Sequence, residues 1–351
     1  MAADRASRDR FTAPESWGKV DSGGPGGFED SRATYRLPDG SEYVWESRRH
    51  RKGLGLRTHS GRSARLQNRA PEAGKRNPWL GGFAPHRLAW WIAVVFILGS
   101  ALFTLGATAS LFPPVFGGEA SAELTASLAY FTGASLFTGG VYLQLLEAIN
   151  SSDYIGMKPP YYTPRQFRWF AWQPRRLEFM APFLLLFGAI SFNFETALAV
   201  LSDLDILVLP TAIALASLVG AVFFLGPSYM QMIEVCHRYL CRQPRKFSWW
   251  VTVFFVVGSA GFVLGSVTGF GIPGLSSPAE SEITKWSFLE GSVFFLAGSY
   301  QLPGLFHHGV AGVGVRQAEA AAASRGYLLQ LPGLGQGKCH GLIQHHVKAV
   351  F

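Results

Sequence analysis

Charge and cysteine are both scarce in this chain. Only 15% of its 351 residues are Asp, Glu, Lys or Arg, against about 25% in an average soluble domain. That shortage argues against an ordinary soluble enzyme. Three cysteines are too few for a disulfide framework. Cys236 and Cys241 flank a basic loop and Cys339 lies near the end; reduced thiols are the simplest expectation. The opening segment Met1–Arg10 has no apolar core, so no cleavable secretory signal is expected there. Asp4, Asp9, Glu15 and Asp21 break the acid-poor pattern of an organellar transit peptide. Catalytic signatures are missing too: no GxGxxG followed by an acid, no GxxxxGK[ST], no HExxH and no GxSxG. The Px[DE]xx[KR] element of mitochondrial carriers is also missing. No cofactor is implied, and an enzyme is not the expectation.

What the chain has in quantity is Phe (28), Gly (40) and Trp (10), with a net charge of +8. Mean hydropathy is only +0.18, so the apolar residues are concentrated. They fall into six segments, about 88–112, 124–147, 177–200, 205–233, 248–272 and 286–306. Each supplies roughly 20 residues, enough to cross a hydrocarbon core of about 30 Å. One such segment could be a buried core helix; six in succession predict membrane spans, helical because lipid offers backbone groups no water.

The linkers alternate in charge. Glu119 and Glu123 mark the first, and Asp203 and Asp205 the third. The second carries Lys158, Arg165, Arg168, Arg175 and Arg176, and the fourth Arg238, Arg242, Arg245 and Lys246. The fifth holds Glu280, Glu282 and Lys285. Short Lys/Arg-rich linkers stay cytoplasmic, which predicts both termini on that side of an unspecified membrane. Trp169, Trp172, Trp249 and Trp250 fall near the same boundary, as an aromatic belt would.

Residues 1–84 are polar and rich in Arg, and predict a basic, mostly disordered arm with one short hairpin over 34–45 around Pro38-Asp39-Gly40. The run Glu46 to Lys52 reads either as a solvated arm or as attracted to anionic lipid headgroups. Residues 307–351 predict a flexible cytoplasmic tail. Its His307, His308, His340, His345, His346 and Cys339 fit no defined zinc spacing, so no metal is expected.

The apolar segments repeat. Trp90-Trp91 through Gly99-Ser100 to Phe103 matches Trp249-Trp250 through Gly258-Ser259 to Phe262, and Gly188-Ala189 to Phe192 fills the same place. The partner helices align as Gly133 to Phe137, Gly220 to Phe224 and Gly291 to Phe295. The unit is therefore a two-helix hairpin, in copies over 85–150, 174–241 and 244–306. The predicted fold is an all-α membrane protein of six transmembrane helices, built as three homologous parallel-repeat hairpins. A pseudo-three-fold bundle and a row of hairpins are both open. Gly99, Ser100, Gly133, Gly188, Gly220, Gly258, Gly261, Gly265 and Gly291 are candidate helix-packing positions, because small residues let helices approach closely.

These features (Trp90-Trp91 with Gly99-Ser100, the stretch Tyr142 to Asn150, Trp169 to Arg176, and Phe192-Asn193) resemble the YrhK-like domain family of small bacterial membrane proteins, particularly its multi-repeat members. Phe179-Met180 departs from the pattern, standing where the other copies have a Trp pair. The resemblance implies a helical integral membrane protein and no known reaction.

Gln144 and Glu147 share a helix face, as do Gln231 and Glu234; Gln301 falls one residue early in the third copy. In a three-fold bundle these form a cation-attracting mouth. Alternatively the glutamines bond between helices while the acids pair with Arg175, Arg176, Arg238 or Arg245. Glu290 is an acid inside the sixth segment, a candidate functional residue or an interfacial one. Asn193 and Glu195 mark the outer end of the third segment, where a polar contact is the expectation. The leading functional expectation is a non-enzymatic membrane packing or interaction module in contact with the lipid bilayer. Basic linkers could meet anionic headgroups, self-association is open, and nucleic acid is not a partner. The alternative is a small-ion or small-solute channel or transporter using Gln144, Gln231, Gln301 and Glu290.

Overall fold

A computed structural model describes Ala13, residues 15–38, 40–52, 57–58, 85, 88–151, 167–204, 206, 209–271 and 276–301. The tail histidines and Cys339 lie outside these residues, as does Asp205.

The chain is mostly helical but not all helical. Near its start stands a four-stranded antiparallel sheet in sequence order: β1 (Gly18–Gly23), β2 (Arg32–Arg36), β3 (Glu42–Glu46) and β4 (Arg57–Thr58). Strand alternation places Ala33 and Tyr35 of β2 inward, with Arg32 and Arg36 outward. Ala33 faces Trp45 across the ladder and Tyr35 faces Tyr43. The Trp17 ring covers this pair from 5.0 Å (Tyr43) and 6.2 Å (Tyr35). The turn between β2 and β3 closes by Leu37 N–H donating to Ser41 O at 2.9 Å, with Gly40 at φ +76°. A mostly disordered arm is thus corrected over residues 15–52. Averaged composition hid the fact that the arm's aromatic residues converge on one small core.

A short helix α1 (Ser47–Arg51) follows β3 directly. Six long helices come next: α2 (Leu88–Leu111), α3 (Glu119–Ile149), α4 (Leu177–Asp203), α5 (Pro210–Cys236), α6 (Phe247–Thr268) and α7 (Ser277–Gln301). Two boundaries differ from the sequence expectation. Glu119 and Glu123 lie on α3, whose start is set by Gly117 (φ +89°) and Gly118 (φ +105°) after the single turn Pro113–Phe116. Glu280, Glu282 and Lys285 lie on α7, not in a linker. Among the described residues, four helices, α2, α4, α5 and α6, are long and apolar enough to cross a membrane, by length and composition.

Each long helix packs against two neighbours, and α7 returns to α2, so the six close into a ring in sequence order. Within the hairpins, glycines bring backbones together. An added Cβ at Gly188 would lie 3.0 Å from Gly220 O, and one at Gly258 2.8 Å from Gly291 O. Gly99 and Gly133 approach in the same way, at 3.2 Å. Four residues past these glycines, the ring is filled by phenylalanine. Phe137, Phe224 and Phe295 form a triangle with centroids 5.7–6.0 Å apart. Phe103, Phe192 and Phe262 form the next layer, each 5.0–5.4 Å from its hairpin partner in the first.

Between hairpins, buried hydroxyls meet: Ser100 with Ser299 at 3.4 Å, and Ser228 with Ser259 at 3.0 Å. Asn193 bonds to Thr138 and Ser135 across α3 and α4, a polar contact between helices.

Cys236 and Cys241 are joined by a disulfide, which corrects the expectation of free thiols. Five residues apart, they are brought to 5.9 Å between Cα atoms by the reversal after α5. His237 caps that helix in the left-handed conformation (φ +58°).

Candidate functional site

The N-terminal sheet sits on one end of the helix ring. Glu29 N–H donates to Arg175 O at 2.8 Å, Tyr239 Oη to Gly26 O at 2.6 Å, and Ser31 Oγ shares a 2.9 Å hydrogen bond with His237 Nδ1. This docking carries α1 over the ends of α3, α4 and α5, where its basic side chains go inward.

Arg51 is the centre of the cluster. Its Nε lies 3.5 Å from Glu147 Oε2, its Nη2 3.3 Å from Glu234 Oε2, and its Nη1 donates to Glu178 O at 3.3 Å. Lys52 Nζ is 3.6 Å from Glu147 Oε2 and Arg48 Nη1 4.0 Å from Glu234 Oε2. Ser47 Oγ donates to Glu234 Oε1 at 3.2 Å. The Glu234 side chain is 2% exposed, so these charges interact with little screening by water. Burial pushes the Arg48 and Lys52 pKa values down, against the pull of Glu234 on Arg48 and of Glu147 on Lys52. Burial also acts to lower Arg51, but Glu234, Glu147 and Glu178 outweigh it and hold its pKa above the usual value.

Sequence reasoning singled out Glu147 and Glu234, and the structure brings them together through Arg51. Their partners differ from the expected Arg175, Arg176, Arg238 and Arg245. Arg176 instead forms its own buried network. It donates to Glu178 Oε1 and Gln173 Oε1 at 2.7 Å, to Ser151 Oγ at 2.8 Å, and to the Ala148 carbonyl at 3.2 Å. That last bond satisfies a free carbonyl at the end of α3. The basic run, read as a solvated or lipid-facing arm, is an inward-facing element. The sequence offered no signal for this, because the contact joins residues more than 90 positions apart.

The remaining candidates disperse. Gln231 is buried near the cluster; Gln144 is half-buried one turn from Glu147. Glu290 lies elsewhere, packed against Gly261 in the α6–α7 seam. The Gln301 side chain lies outside the described residues.

At the other side of the aromatic layers is a cavity of about 190 Å³. Phe137, Phe224, Phe192 and Phe262 form its inner part; Glu195, Tyr130, Thr196, Thr284 and Lys285 are among its outer lining. The cavity arises where the hairpins differ. Seven residues past the seam glycine, α2 has Gly106 and α6 has Gly265, filled respectively by Tyr130 and Phe288 from the partner helix. In α4 that position is Glu195, and the partner helix offers only Ser217, which turns to Ser266 at 2.9 Å. The substitution is visible on aligning the three copies, where Glu195 stands at the position of Gly106 and Gly265.

No family model, curated protein or solved structure matches the chain.

Proposed function

We propose that this is a six-span integral membrane protein of three like-oriented hairpins, acting as a non-conducting membrane module capped on its basic side by its own N-terminal sheet. The supporting observation is an inverted surface. Trp91 and Leu98 of α2, Leu128 of α3, Ile190 of α4, Val222 of α5, Leu264 of α6 and Val293 of α7 point outward and are exposed, while Ser100, Ser259, Ser292 and Ser299 are fully buried. A water-facing bundle would reverse this; lipid favours it, since helices in lipid associate through small and hydroxyl side chains. The α3 and α7 helices share the apolar exterior, which is why six spans are proposed and not four. The basic connectors and both termini are assigned to the cytoplasmic side by the charge rule, and anionic headgroups would meet the exposed connectors. Kinship with YrhK-like domain proteins belongs to this proposal and rests on the shared motifs.

The conduit reading is disfavoured by the closed Phe137–Phe224–Phe295 triangle and by α1 over the basic end. Purified protein in liposomes should pass no K⁺, Na⁺ or Cl⁻ above the empty-vesicle leak. Single cysteines at Gly118 and Arg242 should label from opposite faces. A flux abolished by Gln231→Ala or Glu290→Gln would replace this reading with the conduit, and same-side labelling would remove the topology.

A further inference from the structure

The cavity beyond the aromatic layers holds an acid and a base that do not pair with each other. Glu195 is on α4 and Lys285 on α7, and these helices are not neighbours in the ring. They form no ion pair, and Glu195 has no hydrogen-bond partner among the described residues. Around them the wall is aromatic, with Phe192, Phe224 and Phe262 toward the middle of the bundle and Tyr130 and Phe288 further out. A carboxyl in such surroundings ionises only beside a counter-charge, and ring faces attract cations, quaternary ammonium groups above all.

The geometry points to a binding site for a small zwitterion, one whose ammonium, preferably methylated, meets Glu195 and the ring faces while its carboxylate meets Lys285. Size agrees: an apolar cavity of about 150 Å³ takes benzene, so about 190 Å³ takes a guest slightly larger. Complementarity selects the class: a zwitterion meets both groups at once, whereas a bare cation meets only Glu195 and a bare anion only Lys285. The position is specific to the second hairpin, because Tyr130 and Phe288 fill the matching space in the other two. The site stands whether or not all six helices cross the membrane.

Glycine betaine is the probe, with two analogues of nearly the same shape: choline, which lacks the anion, and 3,3-dimethylbutanoate, which replaces the ammonium with carbon. Binding is measured by titration calorimetry on the full chain in detergent. Betaine should bind at least tenfold more tightly than either analogue. Glu195→Gln and Lys285→Gln should each weaken it at least tenfold. Ser217→Phe, which supplies the ring the other hairpins have, should abolish binding while circular dichroism and elution stay unchanged. The analogue comparison uses the unaltered protein and so does not depend on any variant folding. Equal binding of choline and betaine, equal binding of the carbon analogue, or no betaine binding would each overturn the proposal.

Discussion

Replacing Arg51 by Gln tests whether the sheet is held on the bundle by charge. The Arg51 guanidinium stands 3.5 Å from Glu147 and 3.3 Å from Glu234, with its side chain 4% exposed. Removing one partner from a buried ion pair costs about 3–5 kcal/mol, because the other charge stays buried without compensation. Lys52 at 3.6 Å from Glu147 and Arg48 at 4.0 Å from Glu234 soften that loss, so the lower end applies. About 3 kcal/mol corresponds to roughly a hundredfold change in the docking equilibrium. Amide exchange over residues 42–51, measured by mass spectrometry in detergent, should accelerate by that order. Arg36→Gln is the control: its 3.7 Å pair with Glu42 is 60% and 40% exposed, and such a pair contributes at most about 1 kcal/mol. Arg51→Gln combined with Glu234→Gln should cost less than the two changes summed, because they share one interaction. If Arg51→Gln left exchange over 42–51 as slow as in the unaltered chain, the cluster would not be what holds the sheet.

Acid should loosen the same docking. Burial, helped by Lys246 and Arg32 and opposed by Glu46 and Glu234, holds the His237 imidazole down at about 4, against an ordinary 6.5. Between those values the undocked form binds a proton that the docked form refuses, so docking weakens as pH falls from 6.5 toward 4, by at most roughly 3 kcal/mol. His237→Asn, which tolerates the left-handed backbone, should flatten this dependence in an exchange-versus-pH series. Reducing the Cys236–Cys241 bridge frees the loop that carries His237 and Tyr239, and exchange at residues 24–31 should rise. Gly258→Ala forces a Cβ to within 2.8 Å of Gly291 O and should lower thermal stability by about 1–3 kcal/mol. Gly139→Ala, with nothing within 4 Å, should be neutral or stabilise by up to about 1 kcal/mol. Equal effects of these two alanines on the melting temperature would refute the seam assignment.

The sequence by itself determined the six long helices and the glycine seams, with the bounds of α2, α4, α5 and α6 close to those observed. The starts of α3 and α7 came earlier than hydropathy placed them, because Glu119, Glu280, Glu282 and Lys285 are helical. Hydropathy runs and spacing are local properties, and Gly99, Gly188 and Gly258 recur at matching offsets. It also marked Glu147 and Glu234 as a related pair. Only the tertiary structure decided that the hairpins close into a ring and not a row, because ring closure depends on α7 meeting α2 from opposite ends of the helical stretch. It likewise decided that Arg48, Arg51 and Lys52 answer those acids, that Cys236 meets Cys241, and that Glu195 faces a cavity while Glu290 packs against Gly261. Charge pairing acts through space over a few ångströms, whereas composition and periodicity report only what lies close along the chain.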